Sequence, residues 1–303
     1  ERQERPPHLK FCVYSEAEGF ILRDALGRLR DRCIDPVWYL GDRKGMAAEL
    51  KRVLAKLGRT VPDVTILEAF ADADAGTAAF LNDLARIGDS FLDAVRTSGE
   101  PGYVGLGRDY VVLDPKASSS SGHMFSKVRG MRYIPQIFLQ HRYRHLSVEG
   151  VAENEYWLHS LDILKASLFV AETPGLYPIR QMNFACGPDS IKFFMEETLF
   201  SRVDKPFLHL VTDAQTNNAP FVTRAEAHER IVLRSALSEK RQPPSPETEP
   251  RTLEKTTFPA GAEPVLPCVG ATPGTTATRA SKRPSSSPDG TDRARQTGWA
   301  RKR

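Results

Sequence analysis

The chain has 303 residues, 40% of them hydrophobic, and a formal charge of +4 at pH 7. That length and apolar content suffice for a sizeable core, and no apolar run approaches the ~20 residues of a bilayer-spanning helix. The charge does not point to nucleic acid: 12 of the 42 basic residues lie from Glu239 onward against 7 of the 38 acidic ones, so residues 1–238 are nearly neutral and lack the basic stripe such binding needs.

The opening Glu1-Arg2-Gln3-Glu4-Arg5 carries neither an initiator Met nor a signal-peptide core, which reads as a soluble fragment or a processed chain. Four cysteines at irregular spacing, Cys12, Cys33, Cys186 and Cys268, fit a reducing compartment better than a disulfide framework, so the expected location is cytoplasmic with no membrane association.

Residues 1–100 read as mainly helical. Phe20, Ile21, Ala25, Leu26 and Leu29 recur at helical spacing, as do Met46, Leu50, Val53, Leu54 and Leu57, and a third stripe runs from Phe80 through Leu84, Ile87 and Phe91 to Val95. The apolar stretch Val64 to Leu67 is either a strand or a connection.

From Gly102 to about residue 238 short apolar runs alternate with helical patterns. The runs are Tyr103 to Leu106, Met131 to Phe138, Ile179 to Phe184 and Phe207 to Thr212; the helical patterns are Gly122 to Gly130, Ala152 to Leu168, Asp189 to Phe200 and Arg224 to about Leu237. This alternation predicts an α/β fold, a Rossmann-like parallel sheet flanked by helices. Ligands of such sheets sit beyond the carboxyl ends of the strands, where Arg108, Asp114, Cys186 and Asp213 all fall. Residues 239–303 hold 10 of the 22 prolines and almost no apolar periodicity, so a disordered tail is expected, either a natural linker or an out-of-frame translation product.

The densest motif is Asn183-Phe184-Ala185-Cys186-Gly187-Pro188-Asp189-Ser190. Pro188 suits the first position of a helix, and Ile191, Phe194, Met195 and Leu199 give that helix a stripe expected to be buried. Cys186 therefore precedes a helix N-terminus, a setting that favours the thiolate form for metal binding or nucleophilic attack; a buried inert thiol is the plain alternative. Arg108, after Gly105-Leu106-Gly107, could meet a phosphate of CoA or a nucleotide through its guanidinium, or brace a loop by a salt bridge. Asp114 before Pro115 fixes a turn or binds the same ligand. Cys12 and Cys33 are expected to be buried structural thiols. His141 and His145, flanked by Arg142 and Arg144, read as a solvated basic segment rather than a zinc site, and the serine run Ser118 to Ser121 with His123 lacks a nucleophile elbow. Thr223-Arg224-Ala225-Glu226 fits a capping box.

Four blocks in order carry a resemblance. Gly107-Arg108-Asp109-Tyr110 with Asp114-Pro115 is similar to a GRPY…DP segment, and Glu155-Tyr156-Trp157 to a helix with a Tyr-Trp pair. Leu176-Tyr177-Pro178 leading to the Cys186 motif resembles an LYPV…NFxCGPDS run, and Lys205 to Leu210, Asp213 and Thr223 to Ala227 resemble a KPxLxLxxDEH…TRxEA block. From about Val104 to Ile231 the chain thus resembles the 2-hydroxyacyl-CoA dehydratase and benzoyl-CoA reductase superfamily, specifically its CoA-enzyme activase-related proteins with iron–sulfur or double-cubane clusters. It departs from them at Asp213-Ala214-Gln215, where the family has Asp-Glu-His, and at the serine run, where a Gly-Val-Asn-Leu-Gly turn is usual.

The resemblance implies an iron–sulfur electron-transfer module, with Cys186 a thiolate of a 4Fe–4S cluster and Arg108 and Asp114 near a cofactor or an anionic CoA thioester. ATP would enter through a partner, an activase or second subunit of the same family. Four cysteines are the usual complement of such a cluster, so a non-catalytic α/β interaction or scaffold domain without a cluster is the alternative. A nucleotide-binding subunit is a third reading.

Overall fold

The computed structural model describes residues 12–38, 42–148, 152, 155, 157–183, 186–212 and 218–241. Asp213, Tyr156 and the tail from residue 242 lie outside this set.

The N-terminal part is helical, as its apolar spacing predicts: α1 (Val13–Ala25), α2 (Arg43–Lys56) and α3 (Asp63–Ser98). The stretch Val64 to Leu67 is neither strand nor connection but the first turns of α3, which begins well ahead of Phe80 and ends at Gly99 with φ 65°, the left-handed geometry that closes many helices. Its C-terminal half packs on the 3-10 turn Gln136–Leu139, where a Cβ on Gly88 would fall on the Phe138 carbonyl oxygen.

Four strands follow: β1 (Gly102–Leu106), β2 (Arg132–Pro135), β3 (Leu176–Asn183) and β4 (Leu208–Thr212). They form one sheet in the order β2-β1-β3-β4, every pair parallel. All of β1 and β3 is buried, as central strands covered on both faces must be. The helices between and after them are α4 (Asp109–Leu113), α5 (Ser121–His123) running into a π turn at Met124–Val128, α6 (Gln140–Tyr143), α7 (Leu158–Glu172), α8 (Gly187–Arg202) and α9 (Asn218–Arg241). The expected second strand is shorter than its apolar run because Gln136 to Leu139 turn into a 3-10 helix.

Alternation along the strands sorts the core into two layers. Val104, Leu106, Ile134 and Leu176 pack with Ile163, Leu164, Leu199 and Phe200 of α7 and α8; Tyr103, Tyr177, Ile179 and Leu210 pack with Phe125 and with Phe221, Ala225 and Val232 of α9. Arg180 shares the face of Leu176, under α8, and is the largest fully buried side chain.

Three local expectations are corrected. Ile191 and Phe194 do not face the core: they are 64% and 62% exposed, and α8 instead buries Asp189, Glu196, Leu199 and Phe200. Thr223 caps nothing, because α9 starts at Asn218 with Pro220 in its first turn, and the Thr223 hydroxyl donates to the Ala219 carbonyl within the helix. Glu226 pairs with Arg129. Cys12 and Cys33 are partly exposed rather than buried, and Cys12, Cys33 and Cys186 are unbridged.

Candidate functional site

In this strand order the chain leaves β1 toward β2 on one side and returns to β3 on the other. The topological switch point, where open α/β sheets open a crevice, lies between the carboxyl ends of β1 and β3. Arg108 is two residues past β1 and Cys186 three residues past β3, so the two come together there. Cys186 is the N-cap of α8 with Pro188 in the first turn, as the Gly-Pro sequence predicts.

Arg108 Nη2 donates to Cys186 Sγ at 3.2 Å. Its Nε lies 3.2 and 3.3 Å from the two carboxylate oxygens of Asp189. Of the two roles open to Arg108, bracing is the one the geometry displays, and the brace is buried, with only 5% of Arg108 exposed. Burial works against the guanidinium charge, but Asp189 and the Cys186 sulfur beside it outweigh that and leave its pKa above the ordinary value. Burial raises the phenol of Tyr110 although the Arg108 charge opposes the shift.

Behind this pair lies a second. Arg180 Nε donates to Glu196 Oε2 at 2.8 Å, and both side chains are 0% exposed. Its Nη1 donates to the carbonyls of Gln181 at 2.8 Å and Leu106 at 3.4 Å. Its Nη2 has no hydrogen-bond partner and sits 3.6 Å from Asp189 Oδ1, an ion-pair contact. Burial holds the Glu196 carboxyl above its usual range while Arg180 pulls it back. On the neighbouring strand His209 stacks against Phe193 at 4.0 Å between ring centroids; burial and then Arg180 push its pKa down to about 4. The four buried side chains Arg108, Asp189, Arg180 and Glu196 alternate in sign and sum to zero charge, so they do not form a cationic cradle for phosphate.

Asp162 on α7 anchors a neighbouring polar group. It accepts from Tyr143 Oη at 3.1 Å, Gln136 Nε2 at 3.3 Å and Gln140 Nε2 at 3.4 Å, and Gln136 Oε1 accepts the Gly107 N–H at 3.1 Å. Asp109 lies beside it, and burial together with the Asp162 charge pushes its carboxyl up to about 6. His159 is held below the usual histidine value by burial and by Arg108.

Asp114 is exposed, and its Oδ1 accepts the N–H groups of Lys116 and Ala117, both at 2.8 Å; the structure gives it the geometry of a turn residue. Gly107 serves packing: a Cβ there would lie 2.6 Å from the Gln181 carbonyl oxygen. Ser121 donates to Gln181 Oε1 at 2.5 Å and lies within the fold. His141 and Arg142 share Asp89 of α3. Glu155 pairs with Lys192 of α8, so residues of the first three resembling blocks meet around the start of that helix. Cys12 occupies the N-cap position of α1 without a side-chain capping bond; the backbone at Ser15, and at longer range Arg108, hold its thiol below the ordinary value against the effect of burial.

A 4Fe–4S cluster needs more than Cys186. Among the described residues no group of three or more His, Cys, Asp or Glu side chains is arranged to hold a metal ion. One partly exposed sulfur beside a guanidinium suits a single ligand, but the described residues do not complete a ligand set.

The sequence pattern did not single out Arg180 or Glu196. A charged residue inside the apolar run from Ile179 to Phe184 was a usable signal, as was the seven-residue spacing that puts Asp189 and Glu196 on one face of α8.

Among the described residues no helix is long and apolar enough to cross a membrane. No curated protein and no solved structure matches the chain. Residues 1–138, from the N-terminal helices through β1 and β2 and including Arg108 and Asp114, match the family described as CoA enzyme activase uncharacterised domain (DUF2229).

Proposed function

We propose that the chain is a component of a CoA enzyme activase system of the 2-hydroxyacyl-CoA dehydratase and benzoyl-CoA reductase type, in which Cys186 is the sulfur ligand this chain contributes to a 4Fe–4S cluster. The remaining ligands come from outside the described residues, on an ATP-dependent activase or a second subunit. A cluster held there supplies low-potential electron transfer for reduction or dehydration of a CoA thioester. What the chain's own residues do is narrower: Arg108 holds the sulfur at the switch point and sets a positive charge against it, and Asp189 keeps Arg108 in place. The observation that carries this reading is the 3.2 Å contact from Arg108 to Cys186 Sγ at the crevice where such folds bind ligands. The family match over residues 1–138, a span that ends before Cys186, supports the CoA enzyme activase part of the reading.

The test is the iron content and dithionite-reduced EPR spectrum of the full chain, purified anaerobically from its native host with the proteins assembled on it. Stoichiometric iron that disappears with Cys186→Ala is the expected result. Iron that is absent, or unchanged in the variant, overturns the cluster and leaves the second reading, a non-catalytic interaction domain. That reading draws on a plain observation: Phe20, Ile21, Val64 and Phe80 of the N-terminal helices are each more than half exposed.

A further inference from the structure

We propose that Glu196, which does not reach the rim, is a positioning residue for Cys186, acting through Arg180, Asp189 and Arg108. The proposal rests on the reading of Cys186 as the functional group of the crevice. It is carried by one unbroken run of contacts. Glu196 Oε2 holds Arg180 Nε at 2.8 Å, Arg180 Nη2 faces Asp189 Oδ1 at 3.6 Å, Asp189 holds Arg108 Nε at 3.2 Å, and Arg108 Nη2 reaches Cys186 Sγ at 3.2 Å. None of the four charged side chains is more than 5% exposed, so water cannot substitute for a lost partner, and each charge depends on its neighbour.

Arg180 is the hub. It has two carboxylates to satisfy, and the carbonyls of Leu106 and Gln181 fix one of its nitrogens at the end of β1 and on β3. With Glu196 present, Arg180 Nη2 stays at ion-pair rather than hydrogen-bond distance from Asp189, whose carboxylate remains available to Arg108. Without the Glu196 charge, Arg180 draws Asp189 toward itself, Arg108 loses its brace, and the sulfur loses the cation that faces it. At the far end the Ser167 hydroxyl donates to the Ile163 carbonyl at 2.9 Å and lies 3.5 Å from Glu196 Oε1.

The test uses the full chain with Cys12, Cys33 and Cys268 replaced by Ser, so that Cys186 is the reacting thiol. Iodoacetamide is the probe: a sulfur–carbon bond forms, iodide leaves, and the rate at one fixed pH is read by mass. Glu196→Gln slows the reaction about three- to tenfold, within the range of coupling between contacting charged residues, and Glu196→Asp recovers part of the loss. Glu197→Gln, an exposed neighbour on α8, leaves the rate unchanged. The discriminating arm is a double-mutant cycle: in an Arg108→Met background Glu196→Gln has no further effect, because the influence travels through Arg108. Additive effects, or an unchanged rate in folded Glu196→Gln, overturn the proposal. Should Glu196→Gln not fold, Glu196→Asp carries the cycle, with a slowing in the presence of Arg108 and none in Arg108→Met; an effect of equal size in both backgrounds overturns it equally. Thiol reactivity does not depend on iron, so failure of the cluster reading and failure of this one are separable.

Discussion

The N-terminal helices carry Phe20, Ile21, Val64 and Phe80 at 56–67% exposure, while the α/β body encloses Arg180 and Glu196 at 0%. One region leaves several large apolar side chains outside while burying Met46, Ile66, Leu84 and Val95, and the other encloses charges. The burial of these charges is tolerable because each of Arg108, Asp189, Arg180 and Glu196 has an opposite one beside it, and the set of four is neutral. Such a set adds little net stability over an apolar core, but it fixes the relative positions of its elements and is costly to break. Here those elements are the ends of β1 and β3 and the first turns of α8, the parts that build the crevice. The N-terminal helices fix nothing comparable, and their surface polar contacts, such as Arg86 with Asp83 and Arg96 with Asp93, are exposed pairs of small value.

The contrast breaks most sharply at Arg180. Arg180→Met leaves Asp189 and Glu196 buried with one cation between them, and is expected to cost about 3–5 kcal/mol by urea unfolding. A loss below about 1 kcal/mol would show that water reaches these carboxylates and that the body is not organised around the pair. Next is Gly88, where α3 meets the body. A Cβ there has no room against the Phe138 carbonyl, so Gly88→Ala is expected to cost about 3 kcal/mol; a near-neutral result would mean that the N-terminal helices move independently of the sheet.

Asp109 sharpens the same contrast through pH. Its folded carboxyl, pushed up to about 6 by burial and Asp162, keeps its proton after the unfolded chain has lost it near the ordinary value of about 3.9. Between those values the folded state binds more protons, so this group's contribution to stability falls as pH rises from about 4 to 6 and stays low above. Asp109→Asn removes the effect: a gain of about 2 kcal/mol at pH 7 and none at pH 3.5, measured by unfolding at both. A gain that is the same at both pH values would assign the effect to packing instead.

The sequence showed the architecture well and the site in part. The parallel sheet was legible because β1 and β4 follow short apolar runs bounded by helical periods, although β3 begins at Leu176, three residues ahead of the run expected from Ile179; the start of α8 was legible because Cys186-Gly187-Pro188 punctuates it. The orientation of α8 was not. Hydrophobic periodicity assigns Ile191 and Phe194 inward, since it counts carboxylates as solvent-facing; the partners that bring Asp189 and Glu196 inside, Arg108 and Arg180, are 81 and 16 residues away in the chain. Long-range charge pairing leaves no local pattern. The Thr223 capping box failed for a local reason: Pro220 is compatible with a first turn, so the helix could begin at Asn218 and absorb Thr223.

The smallest expected effect is the one that separates pattern from structure most cleanly. Ile191 and Phe194 sit in an apolar stripe at helical spacing, and if they were core residues, replacing either with Ser would leave a cavity and a stray hydroxyl costing about 2–5 kcal/mol. At 64% and 62% exposure they have little packing to lose, and Ile191→Ser is expected to change stability by under about 0.5 kcal/mol. Phe80→Ser on α3, 57% exposed, should behave alike. Thermal unfolding of the two variants beside Leu199→Ala, whose side chain is buried in the body, places the boundary between the two regions: a large loss at Ile191 would turn α8 over and remove Glu196 from beneath the crevice, while a loss confined to Leu199 keeps the carboxylates where Arg108 and Arg180 need them.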